Sequence, residues 1–411
     1  MSITEIFLHV ALFLTLYFQV FALLTHFIWS PEDVDKQYSD EELPTVSIMV
    51  PCWNEENTVA GTIESLLASN YPKDKLTILV IDDGSTDNTW VNLQQFANNP
   101  QVKLLQKQNE GSKFSALNFG LDYVTTDIVG CLDADSHVHP MALRYSTAPF
   151  IADPEVMCVV PSMIIDRPKS FWQIMQKPEY EAALFLKKIQ NALGAIYVAP
   201  GPLSVFRKTV FEKIGKYKEA HHTEDLEIAL RMQMNHMKIV YAENSIVYTK
   251  GPVTWRALLK QRVRWTYGFL KNMFSKEYLP LLFSSKYGSI GQLILPFAII
   301  SIVLVVIGFP LMIFGLVKGG YNSFISWSLT GYALQWPSFD LFFVTVKTHL
   351  LLTVLLLGIT GWILYTIRKH TLKTKVLTWD IASLLVYPFF ASWWVIRSAY
   401  NAIRSKKESW R

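Results

Sequence analysis

Hydrophobic and polar positions fall into long blocks along this chain. Residues 6–31, 287–317 and 348–367 contain no Asp, Glu, Lys or Arg, and each can cross a bilayer, which takes about 20 apolar residues. The first block lacks a basic leading region and ends in Phe27, Ile28 and Trp29 rather than in small residues, so it reads as an anchor and not as a cleaved signal peptide. A fourth stretch, 381–396, is short and broken by Pro388, while Trp379, Trp393 and Trp394 suit a membrane interface. It is expected to span, dip or lie flat. Between the first two blocks the composition is globular. Its first third alternates short β-rich runs at 46–50, 77–81, 102–106 and 128–132 with helical stretches at 58–69, 89–97 and 115–124, the pattern of a parallel α/β sheet. The predicted organisation is an anchor (1–30), an α/β domain (31–276) and a membrane region (277–411) with spans near 288–317, 343–367 and 380–398. Stretches 171–193 and 255–274 mix aromatics, aliphatics and lysines, so they read either as helices lying at the membrane interface or as ordinary packing helices.

Composition narrows the class. Of 411 residues, 51% are hydrophobic and only 18% charged, against about 25% charged in a soluble domain. With 19 Gly, 19 Pro and three cysteines, disorder, collagen and a disulfide scaffold are excluded. Cys52, Cys131 and Cys158 cannot pair completely and are given no role. A balance of 38 basic against 34 acidic residues is too even to argue for nucleic acid. Basic residues do report orientation: an amino terminus outside puts the α/β domain in the cytosol and Arg368, Lys369, Lys373 and Lys375 inside, as the positive-inside rule asks. Arg397, Arg404, Lys406, Lys407 and Arg411 conflict with a fourth full span.

In parallel α/β sheets ligands bind at the carboxyl ends of strands. The first strand is followed by Pro51-Cys52-Trp53-Asn54-Glu55, the second by Asp82-Asp83-Gly84-Ser85 and the fourth by Asp133-Ala134-Asp135. Any one of these alone is a turn or a cap; three on one sheet edge point to chemistry. Asp133 and Asp135, two apart after an apolar strand, can converge on a hard divalent cation that also binds substrate phosphates. Lys113, ahead of a helix, can add positive charge to the same phosphates. Thr223-Glu224-Asp225 opens an amphipathic helix, where a cap with two dipole-favoured acids explains the local pattern better than a site does. Gln261-Arg262-Val263-Arg264-Trp265 fits a helix beside the membrane, with Arg and Trp at headgroups, and equally a site.

In that order, the double acid at Asp82 and Asp83, Asp133 with Asp135, Thr223-Glu224-Asp225 and Gln261-x-x-Arg264-Trp265 resemble the membrane-bound, processive family 2 glycosyltransferases, which include cellulose, chitin, hyaluronan and poly-N-acetylglucosamine synthases. The resemblance runs from about residue 44 to 274. In size and layout it is nearest to the bacterial poly-N-acetylglucosamine and chitooligosaccharide synthases. It implies a GT-A-like (Rossmann-like) α/β catalytic domain with α-helical transmembrane segments. It implies that Asp82 or Asp83 holds the uracil and ribose of a UDP-sugar, that Lys113 contacts the nucleotide or its diphosphate, and that Asp133 and Asp135 hold Mg2+ or Mn2+. Asp225 becomes the general base, Arg264 offsets leaving-group charge and Trp265 stacks on the acceptor sugar. Trp53, Glu55, Gly201, Glu224 and Gln261 complete the implied substrate-binding set, Gly201 within the segment Ala199-Pro200-Gly201-Pro202-Leu203-Ser204-Val205-Phe206-Arg207. Trp53 stands where the family commonly has Tyr, and Ser112 is an extra residue ahead of Lys113.

The resemblance therefore implies an inverting hexosyltransferase that extends a β-linked polysaccharide from a UDP-sugar, with UDP-N-acetylglucosamine the preferred donor and with translocation of the product. The implied partners are the UDP-sugar, the growing glycan acceptor and the lipid bilayer, with an accessory membrane subunit or a second copy of the chain as further candidates. The implied location is the plasma membrane, here a bacterial inner membrane, with the catalytic domain cytosolic. Three alternatives remain at this point: a membrane glycolipid synthase of the ceramide-glucosyltransferase type that adds one sugar to a lipid, a different donor such as UDP-glucose, and an inactive subunit that binds nucleotide-sugar or polymer.

Overall fold

The computed structural model describes residues 3–29, 37–330, 348–369 and 378–404. Strands β1 (Val46–Cys52), β2 (Leu76–Asp82), β3 (Val102–Gln106) and β4 (Ile128–Cys131) coincide with the predicted β runs to within two residues. They alternate with helices α2 (Val59–Leu67), α3 (Thr89–Leu93) and α4 (Lys113–Leu121), after a leading helix α1 (Ile3–Ile28). Both faces of these strands are covered. Along β1 and β2, Ile48, Val50, Ile78 and Val80 enter one core with Val59, Ile63 and Leu66 of α2. Met49, Leu79 and Ile81 enter the other with Ala116, Leu117 and Leu121 of α4. Opposite side chains alternate with the period of two that a strand imposes.

Beyond β4 the sheet departs from the all-parallel expectation. β5 (His137–Val138), β6 (Val156–Ile165), β7 (Val205–Arg207) and β8 (Lys238–Thr249) extend it to eight strands in the order β3-β2-β1-β4-β7-β6-β8-β5. β7 runs antiparallel to both β4 and β6, while β6 and β8 are parallel. The sheet is mixed because the connections after β4 are not all right-handed crossovers; β7 enters from the opposite direction after a long helical excursion. The order reverses at β1, which has β2 on one side and β4 on the other. A crevice opens at the carboxyl ends of strands at such a switch point.

Helices α5 (Ala142–Ala152), α7 (Thr209–Ile214) and α8 (Glu224–Met234) complete the α/β domain. Two longer helices, α6 (Phe171–Ala192) and α9 (Trp255–Met273), coincide with the stretches read as interfacial or packing helices. α6 starts with a capping box in which Ser170 and Gln173 satisfy each other's end groups. The remaining helices are α10 (Leu295–Thr330), α11 (Thr348–Ile367) and α12 (Thr378–Ile403). α10 exceeds expectation: the predicted span ends near 317, and the helix continues to Thr330. α12 also exceeds it, running through Pro388 without a break. Among the described residues three helical stretches, Glu5–Ile28, Ile290–Leu329 and Leu350–Ile367, are long and apolar enough to cross a membrane. Residues 331–347, 370–377 and 405–411, which include the start of the span expected near 343–367 and Lys373, Lys375, Lys406, Lys407 and Arg411, lie outside the described residues.

The apolar helices join the α/β domain through α6 and α9. Ala22 of α1, Leu184, Phe185 and Ile189 of α6, and Ile363 and Ile367 of α11 form one buried cluster. Gln19 donates to Thr360 Oγ1 at 2.9 Å, and the rings of Phe18 and Phe297 stack with centroids 3.7 Å apart. Arg368, fully buried, reaches Glu181 Oε2 of α6 through Nε at 2.7 Å and Nη2 at 2.6 Å. Removing one partner of such a pair leaves an uncompensated buried charge.

Candidate active site

The strand-end acids meet in one cavity of about 620 Å³. Its walls include Trp53 and Glu55 after β1, Asp83 after β2, Lys113 at the start of α4, and Asp133 and Asp135 after β4. Gly201, Glu224, Asp225, Gln261, Arg264 and Trp265 close it from the other side. Of the expected site residues only Asp82 is outside the lining. It is fully buried, and its carboxylate accepts from the Ser85 backbone N–H at 3.1 Å and from Gln106 Nε2 at 2.9 Å. Asp82 therefore shapes the turn after β2, while Asp83 faces the cavity and accepts from Lys107 Nζ at 3.0 Å. Burial raises the Asp83 carboxyl above its ordinary value, with Lys107 opposing.

Lys113 is tied to the acids rather than projecting freely. Ser112, the extra residue, occupies the N-cap position of α4 in extended conformation. From there the Lys113 ammonium bonds Asp133 Oδ1 and lies 3.5 Å from Glu224 Oε1. Burial works against the ammonium, but Asp133, Cys131 and Glu224 outweigh it and raise its pKa well above the ordinary lysine value. Gly201 is confined at the same point: a Cβ there would sit 2.5 Å from Lys113 Nζ and 2.9 Å from Asp133 Oδ1. Arg207, at the far end of that segment, points elsewhere and donates to the carbonyls of Val156 and Phe150, both at 2.8 Å.

Burial, followed by the charges of Asp133 and Glu55, pushes Asp135 up to about 6, while Ser136 Oγ donates to it at 3.1 Å. A carboxylate pushed up beside a second one marks a position that a cation would stabilise. Among the described residues no group of three His, Cys, Asp or Glu side chains is arranged to hold a metal. Asp133 and Asp135 thus fit a hard ion that takes its remaining ligands from substrate phosphate and water.

Asp225 sits near the start of α8. Burial, then the neighbouring charge of Glu224, raises it to about 7, and Lys113 and the Leu226 N–H, 2.9 Å from Oδ1, oppose the rise. Thr223 holds the N-cap position but makes no cap bond. Its hydroxyl donates to the Ala220 carbonyl at 2.8 Å and accepts from Asn272 Nδ2 at 3.0 Å. The cap explanation of this motif fails at the threonine. Ala220, His221 and His222, directly before it, all have positive φ, a run of costly conformations that persists only where the surroundings impose it. α9 imposes it here: Asn272 Nδ2 also reaches the Ala220 carbonyl at 3.1 Å, and a Cβ at Gly268 would lie 2.5 Å from Thr223 Oγ1.

On α9, Gln261 Oε1 and Arg264 Nε are buried and have no hydrogen-bond partner among the described residues, although both residues line the cavity. Buried polar atoms without partners are costly and are suited to a polar ligand. The lining also contains residues that sequence reasoning passed over: Tyr180 of α6, Met163 of β6, Asn109, His222, Thr249 and Lys250. They come from elements far apart in the chain and carry no local motif. All three cysteines are free thiols and buried, and Cys52 is part of the cavity lining.

A family profile described as "Glycosyltransferase like family 2" matches residues 44–268. The poly-beta-1,6-N-acetyl-D-glucosamine synthase of Staphylococcus epidermidis is 29% identical over 229 residues, 56% of this chain and 55% of that protein. The enzyme of the same name from Staphylococcus aureus strain MSSA476 is 30% identical over 240 residues, 57% of this chain and 58% of that one. The match thus spans a little over half the length of these relatives. A mannosyltransferase from Pyrobaculum calidifontis, solved with GDP-Man and Mn2+, superposes with a TM-score of 0.58 at 18% identity over 98% of this chain and 99% of that one, which shows a shared fold. With the profile covering more than half of the chain and every motif of the resemblance contributing to one cavity, the protein belongs to glycosyltransferase family 2.

Proposed function

We propose that the protein is an inverting membrane glycosyltransferase that extends a β-linked polysaccharide from a UDP-sugar, with UDP-N-acetylglucosamine as donor and with its own apolar helices passing the product across a membrane. The observation that carries this reading is the single cavity in which the paired carboxylates of Asp133 and Asp135, a third carboxylate with elevated pKa and an arginine–tryptophan pair face one another. The names of the relatives support N-acetylglucosamine as the transferred sugar. The three apolar helices support a membrane setting, with the α/β domain on the cytosolic side where UDP-sugars occur.

In this reading Trp53 and Asp83 bind the nucleoside, and Asp133 and Asp135 would hold Mg2+ or Mn2+. The ion, when bound, offsets charge developing on the departing diphosphate. Lys113 adds a fixed positive charge beside these acids and Arg264 supplies a second cation from α9. The acceptor hydroxyl loses its proton to Asp225, whose pKa near 7 suits a base at neutral pH. Its oxygen bonds to the anomeric carbon from the face opposite the diphosphate, the carbon–phosphate-oxygen bond breaks, and UDP leaves with the electron pair. An α-linked donor therefore gives a β-linkage. Gln261 accepts or donates to sugar hydroxyls, and the Trp265 indole offers a flat face to the acceptor ring, which tolerates one-sugar shifts better than fixed hydrogen bonds do.

The test is purified full-length protein in detergent with Mg2+ or Mn2+ and a panel of UDP-sugars, with product mass and length recorded. A ladder of N-acetylhexosamine units supports the proposal. One sugar on a lipid points to the glycolipid alternative, and absence of turnover with every donor points to an inactive subunit.

A further inference from the structure

Arg262 lies inside the Gln261–Trp265 motif but not in the cavity wall, and the mechanism above leaves it without a task. Its guanidinium is buried, with 7% of the side chain exposed. It packs 4.5 Å from the Trp265 ring centroid and 5.6 Å from that of Tyr180, and both rings line the cavity. A buried guanidinium needs a counter-charge, and Glu179 of α6 provides it, with Oε2 2.8 Å from Arg262 Nη2. The same oxygen accepts the hydroxyl of Tyr387 at 2.5 Å. Tyr387 belongs to α12, some 125 residues further along the chain than Arg262.

α12 also grips α9 at two other levels. Trp394 packs with Leu258 and Val263 in a buried cluster that includes Trp172 and Trp255. Ser398, fully buried, donates to the Val263 carbonyl at 3.2 Å. α12 is thus part of the wall that supports the motif, although it is not among the stretches apolar enough to cross a membrane by composition.

We propose that Arg262 is a positioning residue for the acceptor: held by Glu179 and Tyr387, it fixes the Trp265 and Tyr180 rings, and so makes α12 a structural part of the acceptor site. The inference rests on the reading of Trp265 as the acceptor platform. A cation packed on one face of an indole leaves the other face for a ligand and restrains its rotation. A planar guanidinium can stack on two rings while holding a carboxylate, and an ammonium cannot, so lysine is not a conservative replacement here. Tyr387 tightens the arrangement by orienting Glu179.

The experiment compares wild type with Arg262→Lys, Tyr387→Phe and Trp265→Ala, each as purified full-length protein, for product length, UDP affinity and thermal midpoint. Arg262→Lys is expected to shorten the product about tenfold, the equivalent of one guanidinium–indole contact in a desolvated site. Tyr387→Phe, which removes one hydroxyl outside the cavity lining, is expected to shorten it about threefold. UDP affinity stays within about twofold in both. Product of wild-type length from Arg262→Lys and Tyr387→Phe, with a shortened product from Trp265→Ala, overturns the positioning role and leaves the acceptor platform standing. Loss of UDP affinity in step with product length overturns it too, because a general packing defect affects both ends of the cavity. Wild-type length from Trp265→Ala overturns the acceptor platform itself, and the positioning role with it.

Discussion

Replacing Asp225 by Asn keeps size and shape and removes basicity, and the structure gives this change two opposite consequences. Burial and Glu224 hold the carboxyl at about 7 against an ordinary 3.8, a rise of about three in pKa. At about 1.4 kcal/mol for each the ceiling is about 4 kcal/mol of destabilisation by the ionised group; contact with the open cavity reduces this to roughly 1–2 kcal/mol. The sign follows from the folded pKa lying above the unfolded one. The folded state retains the proton longer, so the stability contributed by the neutral acid is complete below about pH 4 and is lost as pH rises through about 7. Asp225→Asn is therefore expected to raise the thermal midpoint by roughly 2–8 °C at pH 8, with the difference shrinking as pH falls towards 5. The rate responds in the other direction. UDP release by wild type should rise with pH and level off above about 7, because the base must be ionised, whereas the Asn variant should be at least about 100-fold slower with little dependence on pH. Donor binding, measured by UDP-sugar titration, should change little. Parallel losses in donor affinity and rate, with an unaltered pH profile, would refute the base assignment and make Asp225 a structural residue.

Chelation with EDTA should abolish turnover and Mn2+ should restore it, while Asp135→Asn should weaken UDP-sugar binding on the order of tenfold or more with the fold retained, checked by circular dichroism. Gly201→Ala places a methyl group against Lys113 and Asp133 and should reduce donor affinity at least about tenfold without lowering yield, read by titration with UDP. Asp82→Asn and Asp83→Asn should separate: the first, in the buried turn that Ser85 and Gln106 close, lowers the thermal midpoint, and the second weakens nucleotide binding with the midpoint kept.

The first four strands were legible because each is a short apolar run between turn residues, and the acids that follow them mark the sheet edge. Asp133, Asp135 and Asp83 were therefore expected at that edge from local pattern, and all three line the cavity. Asp82 was not separable from Asp83, since adjacent residues at a strand end point to opposite faces and only the partners of each, Gln106 and Lys107, decide which one is inside. The antiparallel half of the sheet was hidden because β7 is three residues long and β6 pairs with a strand some 80 residues later. Tyr180 and His222 carry no motif, and the task of Arg262 depends on Glu179 and Tyr387, both remote in sequence. Pro388 suggested a break because proline removes a helix hydrogen bond, yet α12 is packed along α9 and α6 on both sides of it. Tertiary contact outweighed the local signal.

In the proposed mechanism one cavity holds the donor at its Asp83 and Asp133 end and the acceptor at its Trp265 end. An experimental structure of the full-length protein with Mn2+, a non-transferable UDP-sugar and a short β-linked oligosaccharide tests it most directly. The expected result is metal density between Asp133, Asp135 and the diphosphate, the terminal sugar against the Trp265 indole, and its hydroxyl within hydrogen-bond reach of Asp225. Nucleotide bound elsewhere at saturation, or a sugar that leaves Trp265 and Asp225 untouched, would contradict it.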